Sequence, residues 1–114
     1  MGQMIAQIYS ASSTVISVMG PQIQLTPFWT HIAQTWSSTN GLRLYINGYL
    51  YTSVTATTST AGSAQNYVTL GTVLSGSGCS TGSISISQYY GAIDDFRIYS
   101  RELTATEICQ LANP

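Results

Sequence analysis

Trp29-Thr-His-Ile-Ala-Gln-Thr-Trp36, Ser37-Ser-Thr-Asn-Gly41, Leu42-Arg-Leu-Tyr-Ile46, Asn47-Gly48 and Tyr49-Leu-Tyr51 follow one another without a break, and their reading decides the fold. From Trp29 to Trp36 the residues alternate as on a half-buried strand. Trp29, His31, Ala33 and Thr35 lie on one side, Thr30, Ile32, Gln34 and Trp36 on the other. A Ser/Thr/Asn/Gly cluster turns the chain. Leu42, Leu44 and Ile46 then point inward while Arg43 and Tyr45 point outward. Asn47-Gly48 accepts the positive φ angles of a two-residue type I′ turn, and Tyr49 starts the return strand. The pattern predicts an antiparallel three-stranded meander.

Outward from that meander, Gln3–Tyr9 and Thr14–Met19 read as two short strands joined through Ser10-Ala-Ser-Ser13. Gly20-Pro21 is expected to punctuate, with a further short strand over Gln22–Leu25. After a strand end near Val54, Thr55–Asn66 reads as a loop with little to bury, Tyr67–Leu70 as a strand, and Ala92–Tyr99 as the last long strand. The segment 74–88 fits no regular element. Thr104-Ala-Thr-Glu107 is a capping box, with Leu103 and Ile108 placed as a hydrophobic staple, so a short helix should run to about Leu111. No repeat is visible.

Two of these motifs carry a resemblance. A tryptophan, His-Ile-Ala, a turn and Leu-Arg-Leu-Tyr-Ile-Asn-Gly48 resemble the middle of a laminin-G-like jelly roll of the concanavalin A-like lectin/glucanase superfamily. Gly91-Ala-Ile-Asp-Asp-Phe-Arg-Ile-Tyr-Ser-Arg-Glu-Leu103 before a helix is similar to how that family closes. The resemblance implies an all-β, antiparallel jelly-roll β-sandwich with one short C-terminal helix. It also implies that residues 1–114 form a single domain lacking its N-terminal strands. The function it implies is an extracellular, non-catalytic recognition module in a larger protein, binding glycan or an extracellular protein partner. A fold alone does not fix function. The alternatives are a structural spacer with no specific ligand and, more remotely, a fragment of a glycoside hydrolase.

Composition narrows the field. Only 6% of the 114 residues are charged, net charge is −1, and roughly a quarter are Ser or Thr, which suits an extracellular β-protein with polar, uncharged loops. Arg43, Arg97 and Arg101 are the whole basic complement, so nucleic acid is excluded as a partner. No apolar run is long enough for membrane insertion. Met1–Gly20 lacks the form of a signal peptide, so either the chain is cytosolic or residue 1 is not the natural start, and the resemblance, which begins part-way into the domain, favours the second.

The acids are Asp94, Asp95, Glu102 and Glu107. A glycosidase needs two carboxylates roughly 5–9.5 Å apart across its sugar. Asp94 and Asp95, adjacent on a strand, point to opposite faces, so the chain is not expected to be an enzyme. Gly78-Cys-Ser-Thr-Gly82 matches a nucleophile elbow by letter but lacks its strand and helix. Some members of the resembling family bind calcium in loops, and Asp94 or Asp95 would be the metal ligands here. The alternative role for Asp94 is a pair with Arg101 or a cap on loop amides. An even cysteine count in an extracellular chain favours a disulfide between Cys79 and Cys109, worth roughly 3–4 kcal/mol by chain entropy. Tyr49, Tyr51, Tyr67, Tyr89 and Tyr90 lie near turns, where aromatic faces serve as sugar platforms, with Arg43 and Asn47 as polar contacts, although a turn role is the stronger reading for Asn47. Cross-strand covering of a sheet is the other role open to each tyrosine.

Overall fold

The computed structural model describes residues 2–11, 14–23, 28–60, 68–71 and 87–114. Their elements are β1 (Gln3–Tyr9), β2 (Val15–Gln22), β3 (Ile32–Ser37), β4 (Gly41–Ile46), β5 (Tyr49–Val54) and α1 (Ala105–Ala112). β1 and β2 form one antiparallel sheet, and β3-β4-β5 form a second in sequential order.

The two sheets pack face to face through the alternation the sequence shows. Trp36 pairs with Leu42, Gln34 with Leu44 and Ile32 with Ile46, so these residues share one face of the meander. Leu42 and Leu44 on that face are sealed against Ala6 and Val18 of the opposite sheet and Ala56 beyond β5. Met4, Ile8, Ile16 and Val54 complete the layer. Burying each such leucine stabilises the fold by about 1.5–3 kcal/mol relative to exposure. Gly20 lets the layers approach, because a Cβ there would sit 2.6 Å from Leu44 Cδ2.

Both expected turns form. Asn47 has φ 51° and Gly48 φ 87° between the paired Ile46 and Tyr49, as a type I′ hairpin requires. Ser38-Thr39-Asn40 closes β3 onto β4, and Gly41, at φ 73°, packs so tightly that a Cβ would collide with the Val54 carbonyl oxygen.

The helix is as read. Thr104 Oγ1 accepts from the Glu107 N–H at 3.2 Å, and Glu107 Oε2 accepts from the Thr104 N–H at 2.8 Å. Leu103 and Ile108 meet in one buried cluster.

That cluster corrects the reading of Tyr45. Its side chain leaves the Leu42 face as expected, yet it is buried, because Leu103 and Ile108 cover the other side of the meander. β4 thus buries side chains on both faces of the meander, Leu42 and Leu44 on one and Tyr45 on the other.

Other expectations also give way. Trp29 lies outside β3, since β4 ends at Ile46 opposite Ile32 and offers nothing further to pair. Gly20-Pro21 does not end its strand. β2 carries them inside a register shift between Gln3↔Gln22 and Ile5↔Met19, an irregularity of the kind that tolerates proline, and ends at Gln22; residues 24–25 of the further strand expected there lie outside the described residues. β5 has its own shift, with Thr52 opposite Leu44 and Leu50 opposite Tyr45, which leaves Tyr51 as the extra, bulged residue. The stretch after β5 is not idle. Ala56 is buried and its carbonyl accepts from Trp36 Nε1 at 2.9 Å, while the Thr60 N–H donates to the Tyr9 carbonyl at 2.9 Å.

Residues 68–71 and 92–99 are not strands. In the second segment Asp95 takes φ 53°, which breaks an extended run, and Arg97 folds back onto its carboxylate at 2.8 and 3.0 Å. Ile93, Phe96 and Ile98 are consequently exposed.

Candidate functional site

The charged groups are mostly committed to holding the chain. Asp95 is occupied by Arg97, and Asp94 Oδ1 accepts the Asp95 N–H at 2.9 Å. The loop-amide role for Asp94 is therefore the one realised, and Arg101 pairs with Glu107 instead, at 2.6 and 3.0 Å. The Arg101 guanidinium first, and the Thr104 amide second, hold the Glu107 carboxyl down at about 2. Glu102 Oε2 accepts from Asn40 Nδ2 at 2.9 Å, tying the β3–β4 turn to the chain ahead of the helix.

No two of these four carboxylates share a hydrogen-bonded site. Among the described residues no three of His, Cys, Asp and Glu gather as a metal centre. Of the two expected calcium ligands, Asp94 accepts a backbone amide through Oδ1 and Asp95 a guanidinium through both oxygens. Cys109 is an exposed free thiol on α1. Cys79, expected to pair with it, lies outside the described residues, as do Tyr67 and Gly78–Gly82.

The remaining sequence-predicted residues fall in three places. Tyr49 and Tyr51 stand exposed on β5, Tyr49 directly after the Asn47-Gly48 turn. Tyr89 and Tyr90 are exposed in the segment before Gly91, where their hydroxyls donate to the Ala92 carbonyl at 3.4 Å and to Gln88 Oε1 at 3.1 Å. Arg43 is half-buried at the centre of β4, opposite Thr35 and Ser53, and so lies on the sheet rather than on a rim.

A concave feature forms at the Asn47 end of the sandwich. Asn47 bridges two segments there: its N–H donates to the His31 carbonyl at 2.8 Å, and its Oδ1 accepts the His31 N–H at 2.9 Å. This two-bond clamp fixes the lead-in to β3 against the end of β4. Between that lead-in and the end of β2 lies a cleft of about 250 Å³, lined by Pro21, Gln22, Ile23, Phe28, Thr30, Ile46 and Asn47. Phe28 is 85% exposed, Trp29 68% and Tyr49 75%, so this end of the molecule carries solvent-facing aromatic rings beside side-chain amides.

Of these residues the sequence reading picked out only Tyr49 and, chiefly as a turn former, Asn47. Phe28, Gln22 and Thr30 were missed. Their one local signal is a Phe-Trp pair after a proline, which the strand pattern absorbed.

Two facing antiparallel sheets with a short C-terminal helix packed against one of them define an antiparallel β-sandwich. The chain belongs to the laminin-G-like branch of the concanavalin A-like lectin/glucanases superfamily, whose profile it matches over residues 2–109. Over 84 residues it is 33% identical to human adhesion G-protein coupled receptor D1, covering 72% of this chain and 9% of the receptor. It is also similar to the crystal structure of residues 221–444 of an S-layer domain-containing protein from Clostridium thermocellum, with a TM-score of 0.52 and 27% identity. That match takes in 87% of this chain and 46% of the crystallised one. The chain therefore spans under a tenth of the receptor and about half of the crystallised fragment. Laminin-G-like domains are generally non-catalytic, and among the described residues no helix is long and apolar enough to cross a membrane.

Proposed function

We propose that this chain is a non-catalytic, extracellular recognition module that binds carbohydrate on cell or matrix surfaces as part of a larger protein. The observation that carries this reading is the rim at Asn47, where exposed aromatic rings stand beside uncharged amides on a clamped backbone. Aromatic faces stack on the C–H faces of sugars, and amides bond their hydroxyls. The adhesion receptor and the S-layer domain-containing protein it resembles support a surface setting. The committed carboxylates support a role without catalysis, since Asp95 and Glu107 are engaged by arginines and Asp94 by a backbone amide.

Binding at such a rim is weak per site and gains strength from repetition. The test is surface binding of the fluorescently labelled, multimerised chain to cells before and after enzymatic removal of their glycans. Loss of binding on deglycosylation is the expected result. Binding that survives deglycosylation would replace glycan with a protein partner, and no binding by a folded chain would leave the spacer role.

A further inference from the structure

We infer that the Asn47 cleft takes a neutral pyranose sugar, without calcium and without help from anionic substituents. This deepens the carbohydrate reading above and rests on it. The cleft divides into three kinds of surface. Pro21, Ile23 and Ile46 give it an apolar wall, Gln22, Thr30 and Asn47 supply amides and a hydroxyl, and Phe28 presents an aromatic ring. Asn47 spends its Oδ1 on the His31 N–H, which leaves its amide nitrogen as a hydrogen-bond donor. Gln22 brings both a donor and an acceptor, and the Thr30 hydroxyl can act as either. Sugar hydroxyls need that mixture, and a pyranose C–H face needs a ring such as Phe28, which is exposed enough to be covered by a ligand.

Charge excludes the other ligand classes. No acidic or basic side chain lines the cleft. Sulfated, phosphorylated or sialylated sugars need cations, and the whole chain has three. Arg97 is held by Asp95 and Arg101 by Glu107, while Arg43 lies among the strands of the second sheet. A calcium-bridged sugar needs carboxylates at the site, and the cleft has none. At about 250 Å³ the cleft lies below the roughly 300–1,000 Å³ of sites for drug-sized ligands, so it suits a terminal residue rather than a chain laid along a groove.

Saturation-transfer NMR on the whole chain with lactose, cellobiose and maltose, against sialyllactose and a heparin disaccharide, tests this. At least one neutral disaccharide should bind in chelator as well as in calcium, with no change between low and high salt. Phe28→Ala should weaken that binding about tenfold, Phe28→Tyr should keep it, and Ile98→Ala, at an exposed residue not lining the cleft, should leave it unchanged. Since Phe28 is largely exposed, its replacement should not unfold the chain, which the NMR spectrum itself reports. Neutral binding that ignores Phe28→Ala would overturn the cleft assignment while leaving the module a carbohydrate binder. Preferential, salt-sensitive binding of the heparin disaccharide, or binding lost in chelator, would overturn the neutral-ligand inference. Silence from all probes, with cell binding still sensitive to deglycosylation, would overturn the inference and spare the broader reading.

Discussion

Replacing Gly20 with alanine probes the contact between the two sheets. Gly20 is buried in β2, and a Cβ built there lies 2.6 Å from Leu44 Cδ2 and 3.3 Å from Met4 Cβ. Its φ is not positive, so alanine adds no backbone strain and the whole effect is steric. Leu44 is only 1% exposed and has Val18, Ala6 and Ala56 in its cluster, so its methyl cannot swing away without disturbing them. Overpacking of this kind costs about 1–3 kcal/mol, and the movable end of a leucine places Gly20→Ala toward the lower half. Leu44→Ala alone should cost about 2–5 kcal/mol through lost burial and a cavity. In the double variant the new methyl occupies space the leucine vacated. The loss in the double variant should therefore fall short of the sum of the two single losses by at least about 0.5 kcal/mol. Urea unfolding followed by the fluorescence of Trp36, which packs in the same layer, measures all four chains. Strict additivity would mean that Gly20 and Leu44 do not face each other, and would refute the way the sheets are stacked here.

Four further outcomes follow from the geometry. Thr104→Ala removes the cap that accepts the Glu107 N–H and should cost about 1 kcal/mol in the same unfolding assay. Glu107 is held down at about 2 in the folded chain against an ordinary 4.5, so its contribution is present above 4.5 and disappears as pH falls toward 2. Wild-type stability should accordingly drop more between pH 5 and 2 than that of Glu107→Gln, and parallel curves would contradict the Arg101 pair. Gly48→Ala should lose about 1 kcal/mol or more, because φ is 87° and the new Cβ would press to 3.1 Å from Ala112 Cβ on the helix. Cys109 stands exposed as a free thiol, so alkylation without reductant should add a label there; a chain that takes up no label would report the Cys79–Cys109 bridge instead.

What could be read from the sequence was what is decided locally. The inward leucines of β4, the Asn47-Gly48 turn and the Thr104–Glu107 cap each depend on neighbours within a few residues, and each stands as read. Tyr45 was misjudged because the residues that cover it, Leu103 and Ile108, lie more than fifty positions away and carry no local sign of where they dock. Ala92–Tyr99 alternates as a strand does, but alternation supplies no partner, and Asp95 and Arg97 settle into a local bidentate pair instead. The candidate site was harder still. Its cleft is assembled from the ends of β2 and β4 and the lead-in to β3, so no single stretch announces it. Tyrosines near turns were the visible signal, yet the rings beside the cleft include Phe28 and Trp29, which stand exposed ahead of β3, where the β3–β4 pairing has not yet begun.

The measurement that bears most directly on carbohydrate recognition is a glycan array probed with the multimerised chain, once in calcium and once in chelator. Selective binding of uncharged glycans under both conditions is the predicted result. An array that stays blank in both, from a chain shown to be folded by its NMR spectrum, would contradict the account.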